Sequence, residues 1–145
     1  MYCGMTFGLR AATATDVPAV LEFWKLAGED TNRVDSAPAV ERLLERDPAA
    51  LLLAVEDDRI IGSLIVGWDG WRCHLYRFAV HPDRRRRGIG RALLDAAERR
   101  FVGFGGHRAD AMVLADNESA HPAWAAAGYT PQPEWVRWVK ALPDV

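Results

Sequence analysis

Arg84-Arg85-Arg86-Arg87-Gly88-Ile89-Gly90-Arg91-Ala92-Leu93-Leu94 joins a strand-like stretch, His74-Leu75-Tyr76-Arg77-Phe78-Ala79-Val80, to an amphipathic helix. Two glycines let the backbone approach a ligand without side-chain interference. A helix start offers unpaired N–H groups and a partial positive charge, which suits an anion such as a pyrophosphate. The arginines add charge-assisted donors fitted to phosphate. Taken alone, the run reads equally as a solvated helix start.

Outward from this turn, Phe7 to Ala11 reads as a first strand. Thr15 or Asp16 can cap a helix carrying Val17, Val20, Leu21 and Trp24 at helical spacing and ending near Gly28. Ser36 and Pro38 start a second helix with Val40, Leu43 and Leu44 inside, and Pro48 stops it. Ala50 to Val55, Arg59 to Gly67 and Trp71 to Val80 read as three antiparallel strands, with Asp57-Asp58 and the hairpin dipeptide Asp69-Gly70 as turns. A third helix runs from Gly88 to about Phe101. Ala111 to Ala115 reads as a buried strand, Ser119 to Ala127 as a short helix and Trp135 to Val139 as a last strand. The order predicts an α/β (α+β) domain: a mixed, mostly antiparallel sheet of six to seven strands, flanked on both faces by about four helices.

The 145 residues suit one domain over 1–145, with its patterned core at about 7–140. Half the residues are hydrophobic, about a quarter are charged and the net charge is −2, so nothing drives the whole chain toward nucleic acid or an anionic membrane. The arginine run by itself can imitate a nucleic-acid patch, which keeps a nucleic-acid-binding domain as the third-ranked reading. The two cysteines, Cys3 and Cys73, lack metal-ligand spacing and read as free thiols in a reducing cytoplasm. No metal site is expected. No apolar run reaches membrane-spanning length, and the first residues lack a secretory pattern, with Met5 an alternative start.

Placed after Phe78-Ala79-Val80-His81-Pro82, the pattern Arg85-x-x-Gly88-x-Gly90 resembles the coenzyme A signature of the GNAT superfamily of N-acetyltransferases. Asn117-x-x-Ala120-x-x-x-Trp124-x-x-x-Gly128-Tyr129 resembles that family's later acyl-coenzyme segment. The resemblance implies the GNAT acyl-CoA N-acyltransferase fold, acetyl-CoA as acetyl donor with coenzyme A as product, and a small-molecule or peptide amine as acceptor. It implies that the strands before and after the long helix splay, with the pantetheine arm between them. The backbones of Phe78, Ala79 and Val80 would then meet the acetyl and pantetheine groups, and the N–H groups of Arg85, Arg86, Arg87, Gly88, Ile89, Gly90 and Arg91 the pyrophosphate. Phe78 and Val80 also read as core residues of a central strand, and the two readings are compatible. Asn117 reads either as an amide aimed at the cofactor arm or as a turn or cap residue.

Amine acetylation needs an unprotonated nucleophile, donors for the tetrahedral oxyanion and a departing thiolate. The resemblance assigns the oxyanion donor to the Phe78 N–H. Strand alternation puts His74, Tyr76 and Phe78 on one face, with His74 about 13 Å before Phe78. The segment resembles the catalytic strand of serotonin N-acetyltransferase, where histidines hold the positions of His74 and Tyr76. His74 therefore reads as a general base or as a hydrogen-bonded strand-start histidine. Trp124 stands where many relatives carry a tyrosine acid; its indole cannot give up a proton, so it packs the wedge and Tyr76 becomes the candidate acid or relay. Met112 stands where ribosomal-protein N-terminal acetyltransferases carry a base glutamate, which disfavours that substrate class. Glu29, Asp30 and Asp35 read as a solvated loop or as attractors of a cationic amine; Trp68 and Trp71 read by default as a cross-strand pair, and otherwise as the lining of an aromatic acceptor pocket or a dimer contact.

These readings converge on a cytoplasmic N-acetyltransferase, monomeric or homodimeric, that transfers acetyl directly. A non-catalytic acyl-CoA-binding module is the rival.

Overall fold

The computed structural model describes residues 6–28, 35–114, 117 and 120–143. Five strands, β1 (Gly8–Ala11), β2 (Leu51–Glu56), β3 (Arg59–Trp68), β4 (Cys73–Val80) and β5 (Ala109–Ala111), form one sheet in sequence order. The first four are antiparallel, and β5 runs parallel to β4. Asp57 and Asp58 both have positive φ (50° and 63°), as a tight two-residue hairpin turn requires. Between β3 and β4 the connection is wider than the Asp69-Gly70 pair suggests. The register joins Trp68 to Cys73, and the Asp69 carboxylate accepts the N–H groups of Trp71 and Arg72 at 2.8 and 2.7 Å.

Helices cover both faces. On one, α1 (Val17–Ala27) buries Val20, Phe23 and Trp24, and α2 (Ala37–Arg46) buries Val40, over Leu51, Leu53 and Ala79. Ser36 caps α2 by accepting the Ala39 N–H at 3.3 Å, with Pro38 in the first turn, where its missing donor costs nothing. On the opposite face, α3 (Ile89–Gly103) and α4 (His121–Ala126) bury Ile89, Leu93, Leu94, Ala97, Phe101 and Trp124 against Ile61, Leu64, Val66 and Leu75. Trp68 stacks on Phe104 at 5.2 Å between ring centroids rather than pairing with Trp71, which is 78% exposed.

The sheet has five strands among the described residues, not six or seven. Trp135 to Val139 lies outside it, with Trp138 90% exposed. Trp135-Val136-Arg137-Trp138-Val139 sends apolar side chains to both sides of an extended chain, so it lacks the alternation that gives a half-buried strand one face. The neighbouring edge is also short, since β5 is Ala109–Ala111 rather than Ala111 to Ala115. Ala115 and Ser119 lie outside the described residues.

Gly62 sets how closely α3 approaches β3. A Cβ there would sit 3.0 Å from both Ile89 Cγ2 and Leu93 Cδ1, side chains with no room to retreat. Gly62→Val is expected to lower unfolding free energy by roughly 1–3 kcal/mol in urea titration. Gly8→Ala, where nothing lies within 4 Å of the added atom, should stay within about 0.5 kcal/mol of the parent.

Candidate active site

β4 and β5 pair only over Cys73–Leu75 and Ala109–Ala111. β4 then runs on to Val80, while the chain beyond Ala111 leaves the sheet, and a cleft of about 290 Å³ opens between them. Tyr76, Phe78 and Ala79 form one wall, Met112 and Val113 the other, and Trp124 lies at the base. The His81 N–H bonds the Ile61 carbonyl across β3 at 2.8 Å. Alternation back along β4 therefore turns the N–H groups of Val80 and Phe78 toward the edge that β5 has abandoned.

The expected common face of His74, Tyr76 and Phe78 does not survive. Tyr76 pairs with Ile65 but Ala79 with Ser63, so β4 holds one residue more than β3 over this stretch. The bulge centres on Arg77, whose φ is +51°. His74 and Tyr76 stay on the α1/α2 face with rings 6.0 Å apart, and Arg77 joins them there, over the Trp24 ring at 5.3 Å. Phe78 crosses to the α3/α4 face, where its ring lies 4.8 Å from Trp124.

Tyr76 lines the cleft while 43% exposed, and partial desolvation pushes its phenol pKa up; like any phenol it carries its proton at neutral pH. His74 stands outside the lining, its Nε2 3.6 Å from the Asp69 carboxylate. Trp124 is nearly buried between Phe78 and Tyr129, whose hydroxyl donates to Glu98 at 2.9 Å. Asn117 forms a turn with its main chain: its N–H donates to the Leu114 carbonyl at 3.0 Å and its carbonyl accepts from Ala120 at 3.1 Å. Asp35 pairs with Arg77, while Glu29 and Asp30 lie outside the described residues.

The basic turn sits at the start of α3. Arg86 (φ 64°) and Gly88 (φ 82°) are left-handed, with an extended Arg85 before them. The first intrahelical bond is from Ala92 to the Gly88 carbonyl at 3.0 Å, so the N–H groups of Ile89, Gly90 and Arg91 are free of the helix ladder. Curled backbone followed by a helix start makes a concavity of N–H donors. A Cβ on Gly90 would come within 3.0 Å of Phe78 Cζ, so glycine lets this turn press against the cleft wall. The Ile89 side chain is buried in the core.

The arginines divide. Arg84 and Arg87 reach the Glu56 carboxylate at the end of β2, at 2.8 and 3.3 Å. Arg91 bonds Asp95 and the Ala126 carbonyl, both at 3.1 Å. Arg85 and Arg86 are exposed and have no acidic partner among the described residues. Glu56 escaped the sequence reading because its partners lie 28 and 31 positions away.

Among the described residues no group of three or more His, Cys, Asp or Glu side chains could hold a metal ion. No described helix is long and apolar enough to cross a membrane.

The sequence model of the acetyltransferase (GNAT) family matches residues 19–129, which takes in the cleft lining except Arg137, the basic turn and α4. The chain belongs to the GNAT acetyltransferase family. An acetyltransferase of Pectobacterium atrosepticum is 33% identical over 111 residues, covering 77% of this chain and 79% of that one. The crystal structure of Ard1 from Thermoplasma volcanium superposes with a TM-score of 0.76 at 17% identity, over 87% of this chain and 84% of that one. The structure of yncA from Salmonella typhimurium with its cofactor acetyl-CoA gives 0.72 at 20% identity, over 87% and 80%. These two likenesses concern the fold.

In this GNAT acetyltransferase, Glu56 ties the basic turn to β2. The Thr6 hydroxyl and then Arg84 hold its carboxyl pKa down at about 2, from an ordinary 4.5. A depressed carboxylate stabilises the fold above its unfolded-state pKa and loses that contribution as pH falls through the folded one. Wild-type stability should therefore drop between pH 4.5 and 2 in part through this group. Glu56→Gln should be less stable at neutral pH and show a shallower drop across that window in acid-titrated thermal melts.

Proposed function

We propose that this acetyltransferase moves the acetyl group of acetyl-CoA directly to the amine of a small molecule or peptide. One observation carries the reading: the cleft between β4 and the departing β5 adjoins the donor-rich start of α3. That combination suits an elongated ligand with an uncharged arm and a pyrophosphate end. The donor set fits, because the free N–H groups at 89–91 and the curled turn before them are what a pyrophosphate requires. Arg85 and Arg86 add charge from the exposed side of the turn.

Acetyl-CoA supplies the acetyl group as a thioester, whose C–S bond breaks as the amine nitrogen bonds the carbonyl carbon. Each step has a residue of this chain to serve it. The Phe78 N–H, aimed into the cleft, stabilises the negative charge that grows on the carbonyl oxygen. The Val80 N–H and the Ala79 backbone hold the neutral arm. Trp124 closes the base of the cleft, and Asn117 shapes the turn leading to it. Tyr76, whose phenol carries its proton at neutral pH, supplies a proton toward the leaving sulfur in place of a tyrosine at 124. His74, beside the Tyr76 ring, accepts the amine proton through water or the acceptor itself. Direct transfer is favoured because Cys73 is 1% exposed in the core and burial pushes its thiol pKa up, leaving it no nucleophile.

Calorimetric titration with acetyl-CoA tests the cofactor site. The Arg85→Glu, Arg86→Glu double variant changes only exposed side chains without an acidic partner among the described residues, and should bind at least about tenfold more weakly while melting like the parent. In a coupled thiol assay with an amine panel, Tyr76→Phe should lower kcat by about 10²-fold with acetyl-CoA affinity unchanged. His74→Ala should lower kcat/KM for the amine with acetyl-CoA affinity unchanged. Absence of acetyl-CoA binding by the parent protein would overturn the reading.

A further inference from the structure

The bulge in β4 is held by a buried relay. Ser63 on β3 is 0% exposed, and its hydroxyl donates to the Arg77 carbonyl at 2.8 Å. The Trp24 indole N–H, from α1, donates to the same Ser63 oxygen at 2.9 Å. The extra residue of a bulge takes no part in the regular ladder, and its carbonyl needs another donor once buried. Ser63 supplies that donor, and Trp24 fixes which way the hydroxyl points, because an indole can only donate. Left-handed backbone is unfavourable at a residue with a Cβ, so the +51° φ of Arg77 must be imposed by its surroundings. Besides the relay, the Arg77 guanidinium lies over the Trp24 ring and pairs with Asp35.

The bulge decides where the Phe78 N–H points. In an unbulged strand, residue 78 would face Ser63 and its N–H would be spent in the β3–β4 ladder. With the extra residue, Ala79 takes that place, and alternation turns the Phe78 N–H toward the open edge of β4. We propose that Ser63, oriented by Trp24, is a positioning residue for acetyl transfer: it holds the Arg77 bulge and so aims the Phe78 N–H at the acetyl carbonyl. This inference rests on the reading of the cleft as the acetyl site. It adds a consequence: α1, which lines the cleft through Trp24 and its C-terminal cap Gly28, is wired to the oxyanion donor.

The test combines steady-state kinetics with amide spectra recorded during acetyl-CoA titration, for the parent, Ser63→Ala, Ser63→Thr and Trp24→Phe. In the parent, acetyl-CoA should move the Phe78 and Val80 amide resonances. Ser63→Ala should lose the Phe78 response, keep that of Val80 and reduce kcat about tenfold with the acetyl-CoA KM within about twofold. Ser63→Thr, which retains the hydroxyl, should recover most of the loss. Trp24→Phe keeps an aromatic ring there but removes the indole N–H together with its five-membered ring, and should lower kcat by at least about threefold. Parental kcat in Ser63→Ala, or a loss that merely follows its unfolded fraction or KM, would overturn the proposal. Should Ser63→Ala fail to fold, an unchanged kcat in Trp24→Phe overturns it. Acetyl-CoA that binds the parent without moving the Phe78 amide would refute the acetyl-site reading, and the relay's role with it.

Discussion

One surplus residue in β4 governs the geometry of this site. The Arg77 bulge leaves Tyr76 on the α1/α2 layer, places Arg77 there beside it and sends Phe78 to the α3/α4 layer. Side-chain facing and hydrogen-bond direction both have a period of two along a strand, so one inserted residue reverses both beyond it. Phe78 thereby gains Trp124 as a ring partner and Gly90 as a close neighbour. Strand alternation turns its N–H away from the β3 ladder, toward the edge of β4 that β5 leaves open. The departure of β5 after Ala111 then matters, because it leaves that edge of β4 uncovered.

The aromatic base of the cleft explains how a tryptophan can stand at position 124. Trp124 bridges Phe78 and Tyr129, and Tyr129 is anchored to Glu98 of α3. α4 is only six residues long and too short to be stable by itself. These ring contacts, with the Arg91 bond to the Ala126 carbonyl, dock it on α3. The indole thus has a packing task that its chemistry suits. The tyrosine nearby is committed as well: burial, and then the bond to Glu98, push its phenol pKa strongly up. The only tyrosine lining the cleft among the described residues is Tyr76.

Local signals made much of this legible in the sequence. Ser36 with Pro38, the glycines after the arginine run, and the apolar spacing along 89–101 each act within one or two turns of chain, and those elements stand within a residue or two of their expected limits. Strands β2 to β4 were readable for the same reason. What could not be read was non-local or broke a period. Strict alternation along 74–80 has no term for a bulge, and arginine at positive φ carries no local signature. Glu56 looks like an ordinary strand-end acid until the fold brings it beneath Arg84 and Arg87. The Trp135 to Val139 segment is rich in strand-forming residues but carries them on both sides, so composition suggested a strand that the pattern does not specify.

The division of the arginine run bears on what the turn can hold. A surface for a polyanion gains from contiguous unpaired cations, each of which can replace a counterion. Here two members of the run are spent on Glu56, and Arg91 bonds Asp95 on its own helix. Charge left to a ligand is concentrated at Arg85 and Arg86, directly before the free N–H groups of the helix start. Those N–H groups have fixed directions and a short span, set by Gly88 and by the contact of Gly90 with Phe78. A compact anion at the mouth of the cleft can use both sets of donors together, whereas an extended backbone would pass most of its charges beyond them. The same glycine contact couples the two halves of the site, since any shift of the α3 start must move the Phe78 ring.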